Sequence, residues 1–155
     1  QKSFSVRLSP GEQKWTDQRS RWKELSTNIS FAEGPPNKLI EHYNKCRLCV
    51  HGYQGAAFLE LISFDFPSIV ILDTEVEPLR QSVRKDFEDL ERVKIVHFSA
   101  ASAAKHVNEV WDEIDSWWFD EKTVEAKKVF QEKFCRTRRD PVDFFKKTIE
   151  ELVED

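Results

Sequence analysis

The amino-acid sequence predicts an α/β fold, in which a Rossmann-like parallel sheet of about five strands is flanked by helices and followed by a helical C-terminal tail. Short apolar segments alternate with amphipathic helical ones, as is typical of a parallel sheet covered on both faces. Residues 68–72 (SIVIL) are almost wholly apolar, as expected of a strand buried on both sides. Residues after 98 have helical periodicity only.

The bulk composition fits one domain, and we expect residues 1–155 to form a single Rossmann-like domain. Of the 155 residues, 39% are hydrophobic, enough for a sizeable core. A net charge of -4 gives no positive field that attracts nucleic acid. The sequence has no apolar run of about 18 residues. An odd number of cysteines, three, favours a reducing compartment such as the cytoplasm. The absence of methionine predicts that the chain is part of a longer protein.

The N-terminal elements are short. Residues 3–8 alternate polar and apolar side chains and predict a strand, and residues 28–31 predict a second one. Residues 12–25 are mostly polar with two tryptophans, which fits either a short helix or an ordered loop. Residues 39–43 place apolar side chains on one face of a short helix.

The alternation of strands and helices is clearest in the middle of the chain. Leu79, Val83 and Phe87 recur at helical spacing and predict an amphipathic helix. The segment Asp65-Phe66-Pro67 ends the helix before it. We expect strands at 47–51, 68–72 and 93–98, and helices at 56–64 and 78–91.

The residues after 98 predict three helices. Ser99 is placed to cap a long helix, and a second helix is expected at about 121–134. Asp140-Pro141 provides an N-cap with proline at the first position of the last helix. The side chains that the long helix is expected to bury are Val107, Val110, Ile114 and Trp117. Those that the last helix is expected to bury are Val142, Phe145, Ile149 and Leu152.

Three predicted strands end in polar segments, at 52–55, 73–75 and 97–99, where ligands of open parallel sheets bind. The first segment, Gly52-Tyr53-Gln54-Gly55, leads from a strand into a helix. Its glycines let backbone N–H groups approach an anion, and the positive end of the helix dipole adds to the attraction. Because GYQG is neither a dinucleotide fingerprint nor a P-loop, a tight turn without a ligand is the alternative.

The cysteines and histidines predict no metal or redox site. Cys46 and Cys49 have CxxC spacing but run into a strand, which directs their sulfurs to opposite faces and favours buried packing. The four histidines lack a ligand spacing, although His51 and His97 both fall near strand ends and could share a cleft. Arginines at 136, 138 and 139 form a basic cluster, for which a solvated or paired surface is favoured over contact with an anionic lipid or a phosphate.

Several segments, taken in order, resemble one family. They are residues 7–10 (RLSP), 21–22 (RW), 52–60 (GYQGAAFLE), 99–118 (SAASAAKHVNEVWDEIDSWW) and 134–141 (FCRTRRDP). In these segments the chain resembles the C-terminal part of a transferase family encoded in surface-polysaccharide (O-antigen) gene clusters. That family is in turn similar to GT-B glycosyltransferases.

The resemblance implies that this chain is the nucleotide-sugar-binding C-terminal half of a two-domain glycosyltransferase. The N-terminal domain, absent from this chain, would be its partner and would bring the acceptor site and the catalytic base. The donor substrate would be a nucleotide-sugar, with no cofactor, no metal and no nucleic acid. A peripheral contact with a membrane-linked acceptor would place the protein in the cytoplasm at the inner face of the membrane.

The resemblance also indicates binding residues. Where the family has an aromatic residue, asparagine, a small residue and two threonines, this chain has Tyr53, Gln54, Gly55, Ala56 and Ala57. The loss of both hydroxyls removes two donors to a phosphate. The backbone N–H groups would remain, so we expect phosphate binding to be weakened and not abolished.

Three charged residues complete the expected site, and the catalytic residues stay unknown. By similarity with GT-B proteins, Glu60 would accept hydrogen bonds from a ribose or sugar hydroxyl. Arg80 is the cation that remains in an altered family segment, and Arg7 would be a second phosphate contact or part of a structural ion pair. The alternative function is a non-catalytic relic of the fold, serving as an interaction or regulatory module, which the alanines at 56 and 57 favour.

Overall fold

Every strand in the part of the chain that the structure describes pairs in parallel with a neighbour. The computed structural model describes residues 3–8, 17–32, 34, 39–76 and 78–154. The contacts between residues divide the chain into two units, Gln1–Cys46 and Arg47–Asp155. Each unit is described by itself.

The first unit is a small strand–helix–strand motif followed by a short helix. Its strands β1 (Phe4–Val6) and β2 (Ile29–Phe31) are joined by α1 (Gln18–Leu25), and α2 (Leu39–Tyr43) follows. The side chain of Asp17 caps α1 by accepting a hydrogen bond from the backbone N–H of Ser20, the third residue of the helix. Both predicted strands and the short helix are confirmed.

In the segment at 12–25, for which the sequence allowed either a helix or a loop, the described residues form helix α1 from Gln18 onward. Residues 12–16, which include the first of its two tryptophans, lie outside the described ranges. The choice between helix and loop is therefore decided only from Gln18 onward.

The second unit is a three-stranded parallel sheet with helices on it. The strands lie in the order β3, β4, β5. Its elements are β3 (Cys49–His51), α3 (Ala56–Ser63), β4 (Ser68–Ile71), α4 (Gln81–Arg92), β5 (Val96–His97), α5 (Ala100–Val110), α6 (Ile114–Trp118), α7 (Glu121–Phe134) and α8 (Pro141–Glu154). The strands expected at 47–51, 68–72 and 93–98 are all present, each shorter than expected.

The core of the second unit lies between the sheet and three helices. Phe58 of α3, Val70 of β4, Leu90 of α4 and Phe130 of α7 are at most 2% exposed and belong to one hydrophobic cluster. Helices α3 and α4 both contact α7. This is the arrangement expected when two right-handed crossovers progress in the same direction and place their helices on one face of the sheet.

The prediction of a single sheet of about five strands is wrong. The five strands divide into a two-stranded sheet, β1–β2, and a three-stranded one, β3–β4–β5. Periodicity within one segment shows that a strand forms but carries no information on which strand it pairs with. Here β1 and β2, joined by their own crossover helix, pair with each other.

The prediction of one long helix after Ser99 is also wrong. The helix is interrupted at residues 111–113, between α5 and α6, and Glu113 has non-helical dihedral angles (φ -134°, ψ 49°). The interruption changes which side chains face inward. The buried residues are Ala103, His106, Ile114 and Trp118, whereas Val107, Val110 and Trp117 are only partly buried.

The last helix forms as expected, but its apolar stripe is not buried. Val142, Phe145, Ile149 and Leu152 are between 59% and 72% exposed. No described helix or strand covers this face of α8. Amphipathic periodicity shows that a helix has an apolar side, but the partner that covers that side must come from elsewhere.

A buried lysine joins three segments of the second unit. Lys127 of α7 is 2% exposed, and its ammonium donates to Oδ1 of Asp65 at 2.6 Å and to the backbone oxygen of Trp118 at 3.0 Å. The indole N–H of Trp118 donates to the backbone oxygen of Asp65 at 2.9 Å and to its Oδ1 at 3.0 Å. The α3–β4 connection, α6 and α7 are therefore held together by one hydrogen-bonded group.

Candidate functional site

Three loops leave the carboxyl edge of the β3–β4–β5 sheet. His51 pairs with Val70 in β4, and Ile71 pairs with His97 in β5, so the strands end at nearly the same level. The loops that follow at 52–55, 72–80 and 98–99 therefore start from one edge of the sheet. This edge is where open parallel sheets bind their ligands.

Two backbone amides at the start of α3 are available to a ligand. Gly55 is the N-cap and offers no side chain, and its oxygen accepts from the N–H groups of Phe58 and Leu59 at 3.0 and 3.3 Å. The N–H groups of Ala56 and Ala57 donate to no atom of the described residues. An anion at this helix start would meet two free donors and the positive end of the helix dipole.

Tyr53 lies over the turn. A side chain on Gly55 would place its Cβ 2.4 Å from the Tyr53 ring, whereas nothing lies within 4 Å of a Cβ placed on Gly52. Gly55 is therefore needed for the close approach of the ring. Tyr53 is 59% exposed and Gln54 is exposed, so both side chains of the turn are accessible.

Glu60 lies on the same face of α3 as the free amide of Ala56, because four residues separate them in the helix. Its side chain is exposed and has no hydrogen-bond or ionic partner among the described residues. The carboxylate is therefore directed away from the apolar core and is free to accept hydrogen bonds.

The two candidate arginines belong to different units. Arg80 is the N-cap residue of α4, in the loop that leaves the carboxyl end of β4, and its exposed side chain has no partner within the described ranges. Arg7 follows β1 in the first unit, where its Nη2 donates to the backbone oxygen of Gly34 at 3.2 Å. Arg7 is thus hydrogen-bonded to a carbonyl and has no ionic partner among the described residues, within which its buried Nη1 also lacks a hydrogen-bond acceptor. Its contact with a phosphate stays a prediction.

His51 is the functional candidate that the sequence indicated least clearly. It is the last residue of β3, directly before the turn. Its ring packs edge-on against the Phe58 ring, with the two ring centres 5.6 Å apart. Its Nε2 is buried and has no hydrogen-bond partner among the described residues. Burial lowers the pKa of His51 to about 4, so the ring is neutral at pH 7. The sequence feature that could have identified His51 is its position at a strand end, directly before a turn that contains glycine.

His97, the other histidine at a strand end, is fully engaged. Its Nδ1 lies 2.8 Å from the hydroxyl oxygen of Ser102, and its Nε2 lies 3.0 Å from the backbone oxygen of Lys94. Burial lowers the pKa of His97. Its Nδ1 thus joins β5 to α5, and its Nε2 joins β5 to the connection that follows α4. Because both nitrogens have protein partners, His97 is a structural histidine.

The three cysteines are free thiols. Burial raises the pKa of Cys135, which disfavours its reactive thiolate. Within the described ranges no three histidine, cysteine or acidic side chains are grouped as metal ligands would be.

The fold and this site define a class: an α/β protein in which a three-stranded parallel sheet has open amides at the start of the helix that follows β3. Open parallel sheets bind anionic ligands at their carboxyl edge. Residues 1–149 match the model of the LIC12162 transferase family, and the chain belongs to this family of transferases. Neither a curated protein nor a solved structure matches the chain. None of the described helices is long and apolar enough to cross a membrane.

Proposed function

We propose that this chain is the nucleotide-sugar-binding half of a GT-B-type glycosyltransferase of surface-polysaccharide biosynthesis. The observation that carries the proposal is that the backbone N–H groups of Ala56 and Ala57, at the start of α3, have no acceptor among the described residues. They lie at the carboxyl edge of the sheet, where open parallel sheets commonly bind phosphates. Membership of a transferase family gives the phosphate a role, as part of the leaving group of an activated sugar.

In this proposal the protein assists the reaction through electrostatics. As the bond between sugar and phosphate breaks, negative charge grows on the leaving phosphate. The amides of Ala56 and Ala57 and the helix dipole would stabilise that charge without rearrangement. Arg80, exposed in a loop of the same edge, would supply a positive charge, and the free carboxylate of Glu60 would accept hydrogen bonds from a ribose or sugar hydroxyl.

The alanines predict weak binding. A hydrogen bond to a charged group contributes roughly 1.5–3 kcal/mol, and each threonine hydroxyl that is absent forgoes such a bond. The backbone amides remain, so we expect low affinity with the position of the phosphate retained.

Ala56→Pro is expected to weaken nucleotide-sugar binding about tenfold, the effect of losing one hydrogen bond to a charged group. Ala56 is the first residue of α3, where proline is tolerated, and the extended conformation of Gly55 (φ -108°, ψ 178°) suits a residue before proline. The substitution therefore removes one amide donor and leaves the helix intact. Calorimetric titration with UDP-, CMP-, GDP- and TDP-sugars measures the change.

Glu121→Pro is the control, since it also places proline at the first residue of a helix, α7, behind an N-cap, Asp120, whose dihedral angles (φ -57°, ψ 141°) suit a residue before proline. Helix α7 follows α6 and does not start at a strand end. It should leave binding unchanged. Equal affinities in the wild type and the Ala56→Pro variant would exclude the amide of Ala56 as a donor.

The non-catalytic relic remains the second candidate function, because the residues at 56 and 57 are alanines. We expect the double variant Ala56→Thr, Ala57→Thr to bind its nucleotide-sugar at least as tightly as the wild type, with a gain of about tenfold for each hydroxyl that reaches the phosphate. If neither the folded wild type nor the double variant binds any sugar of the panel, the relic is favoured and the transferase proposal fails.

A further inference from the structure

A cavity lies far along the chain from the sheet edge, where α7 ends and α8 begins. It has a volume of about 750 Å³, within the range of ligand pockets. Three arginines and two aromatic rings line it, namely Arg136, Arg138, Arg139, Phe144 and Phe145. Glu132 and Asp140 also line it, so three positive charges face two negative ones and the balance is one positive charge.

The three arginines differ in how far they are engaged. Arg138 pairs with both carboxylate oxygens of Asp140 at 3.2 and 3.3 Å, and its guanidinium lies 4.1 Å from the centre of the Phe144 ring. Arg136 uses only its Nε, which donates to the backbone oxygen of Glu132. Its two terminal nitrogens have no partner in the described part of the chain.

Arg139 has no hydrogen-bond or ionic partner at all among the described residues. Two guanidinium groups, those of Arg136 and Arg139, therefore offer unpaired N–H donors in one cavity. One guanidinium group can donate two parallel hydrogen bonds to two oxygens of a phosphate, which is why arginine is often the residue that recognises phosphate.

The apolar stripe of α8 continues from the same cavity. Phe145 lines the cavity and also belongs to the stripe, which runs on through Ile149 to Leu152, all exposed. With a rise of 1.5 Å per residue, the part from Phe145 to Leu152 is about 10 Å long. A basic pocket that leads onto an exposed apolar stripe matches a ligand with an anionic head and an apolar chain.

We propose that the cavity between α7 and α8 binds a phosphate monoester that carries an apolar chain. Arg136 and Arg139 bind the phosphate, Arg138 is held by Asp140 and Phe144 as part of the wall, and the chain lies along Phe145 and the stripe of α8. This site uses none of the residues of the nucleotide-sugar proposal, so either proposal can fail without the other.

The test is binding of decyl phosphate below its micelle-forming concentration, measured by calorimetry on the whole chain. We expect Arg136→Gln and Arg139→Gln each to weaken binding about tenfold. Arg84→Gln is the matched control, because Arg84 is an exposed arginine of α4 without a partner in the described ranges. Phe145→Asn should weaken binding of decyl phosphate and leave the weak binding of inorganic phosphate unchanged.

Vesicles of phosphatidylcholine, with and without phosphatidic acid, identify the source of the ligand. Arginine-dependent binding to the phosphatidic acid vesicles supports the proposal with a bilayer as the source, and binding of decyl phosphate alone supports it with a dispersed amphiphile. Three results would overturn it: no binding of either probe, an equal loss in Arg84→Gln, or inorganic phosphate bound as tightly as decyl phosphate. A dimer that Phe145→Asn dissociates, with no decyl phosphate bound, would assign the stripe to a second copy instead.

Discussion

Replacing Asp65 with alanine is expected to lower the free energy of unfolding by about 3 to 5 kcal/mol. The substitution leaves the ammonium of Lys127, which is 2% exposed, without the carboxylate at 2.6 Å. Burial already lowers the pKa of Lys127, and Asp65 acts in the opposite direction. Without Asp65 the buried charge would keep the backbone oxygen of Trp118 and the face of the Trp118 ring, whose centre lies 3.9 Å from the ammonium, but no negatively charged partner among the described residues.

Replacing Lys127 instead of Asp65 is expected to lower the free energy of unfolding by less. The Asp65 side chain is 52% exposed, so water can solvate its carboxylate once the lysine is gone. In Lys127→Met the new side chain also fills much of the volume. We therefore expect Lys127→Met to cost less than Asp65→Ala, and the double variant to be more stable than Asp65→Ala alone, because no buried charge remains.

Urea denaturation followed by tryptophan fluorescence measures these changes, and Trp118 lies within the group itself. Asp65 has a positive φ of 56°, where alanine adds backbone strain of about 1–2 kcal/mol. Asp65→Asn is therefore the control, because asparagine tolerates this conformation and keeps an acceptor but removes the charge. An unchanged urea midpoint in Asp65→Ala would contradict the role given to the pair.

The elements of this fold could be predicted from the sequence, but their assembly could not. The five strand segments and the limits of α7 follow from local patterns, since strand and helix periods are properties of a few consecutive residues. Pairing of β1 with β2 depends on distant residues and left no local trace. The break at Glu113 was missed because apolar residues continue at helical spacing through it.

The candidate site was predictable to the same extent. The turn from Gly52 to Gly55 and the helix start after it are visible in the sequence, because glycine and the change of period mark them. Whether the amides of Ala56 and Ala57 are free depends on what packs around them, as does the unpaired Nε2 of His51. These properties are three-dimensional, and only the structure provides them.

The basic cluster at 136–139 also shows that a sequence pattern does not reveal what surrounds its residues. In the sequence it is a run of charges, for which a solvated surface is the ordinary interpretation. The structure adds the cavity volume, the engagement of Arg138 by Asp140, and the uncovered stripe of α8. A charge pattern becomes a candidate site only when its partners are known.

Lowering the pH from about 7.5 to about 5 is expected to destabilise the protein through two buried histidines. Burial lowers the pKa of His51 to about 4. Burial, and then the neighbouring charge of His97, lowers the pKa of His106 to about 4. In the unfolded chain both rings titrate near 6.5. Between pH 6.5 and pH 4 the unfolded state binds more protons than the folded state. The contribution of the two histidines to the free energy of unfolding is therefore fully present above pH 6.5 and is lost as the pH falls towards 4.

The groups around His106 do not reverse this direction. Its ring contacts His97 at 5.6 Å and Trp117 at 4.7 Å, and its Nε2 has no partner in the described part of the chain. Glu109, 3.9 Å from Nδ1, favours the protonated ring, while the charge of Lys94 opposes it. Each of the two histidines should then cost about 2 kcal/mol at pH 5 relative to pH 7.5, or about 4 kcal/mol together.

Urea denaturation of the wild type and of His106→Phe at both pH values measures this contribution. Phenylalanine can keep the edge-on contact with Trp117 but cannot bind a proton, so the variant is expected to lose about 2 kcal/mol less than the wild type on acidification. The other titrating groups are common to both proteins, and their contributions largely cancel in the comparison. An equal loss of stability in the two proteins would mean that His106 accepts a proton in the folded state as readily as in the unfolded chain. Since its burial and unpaired nitrogen would then have no effect on its titration, the neutral buried ring described here would be excluded.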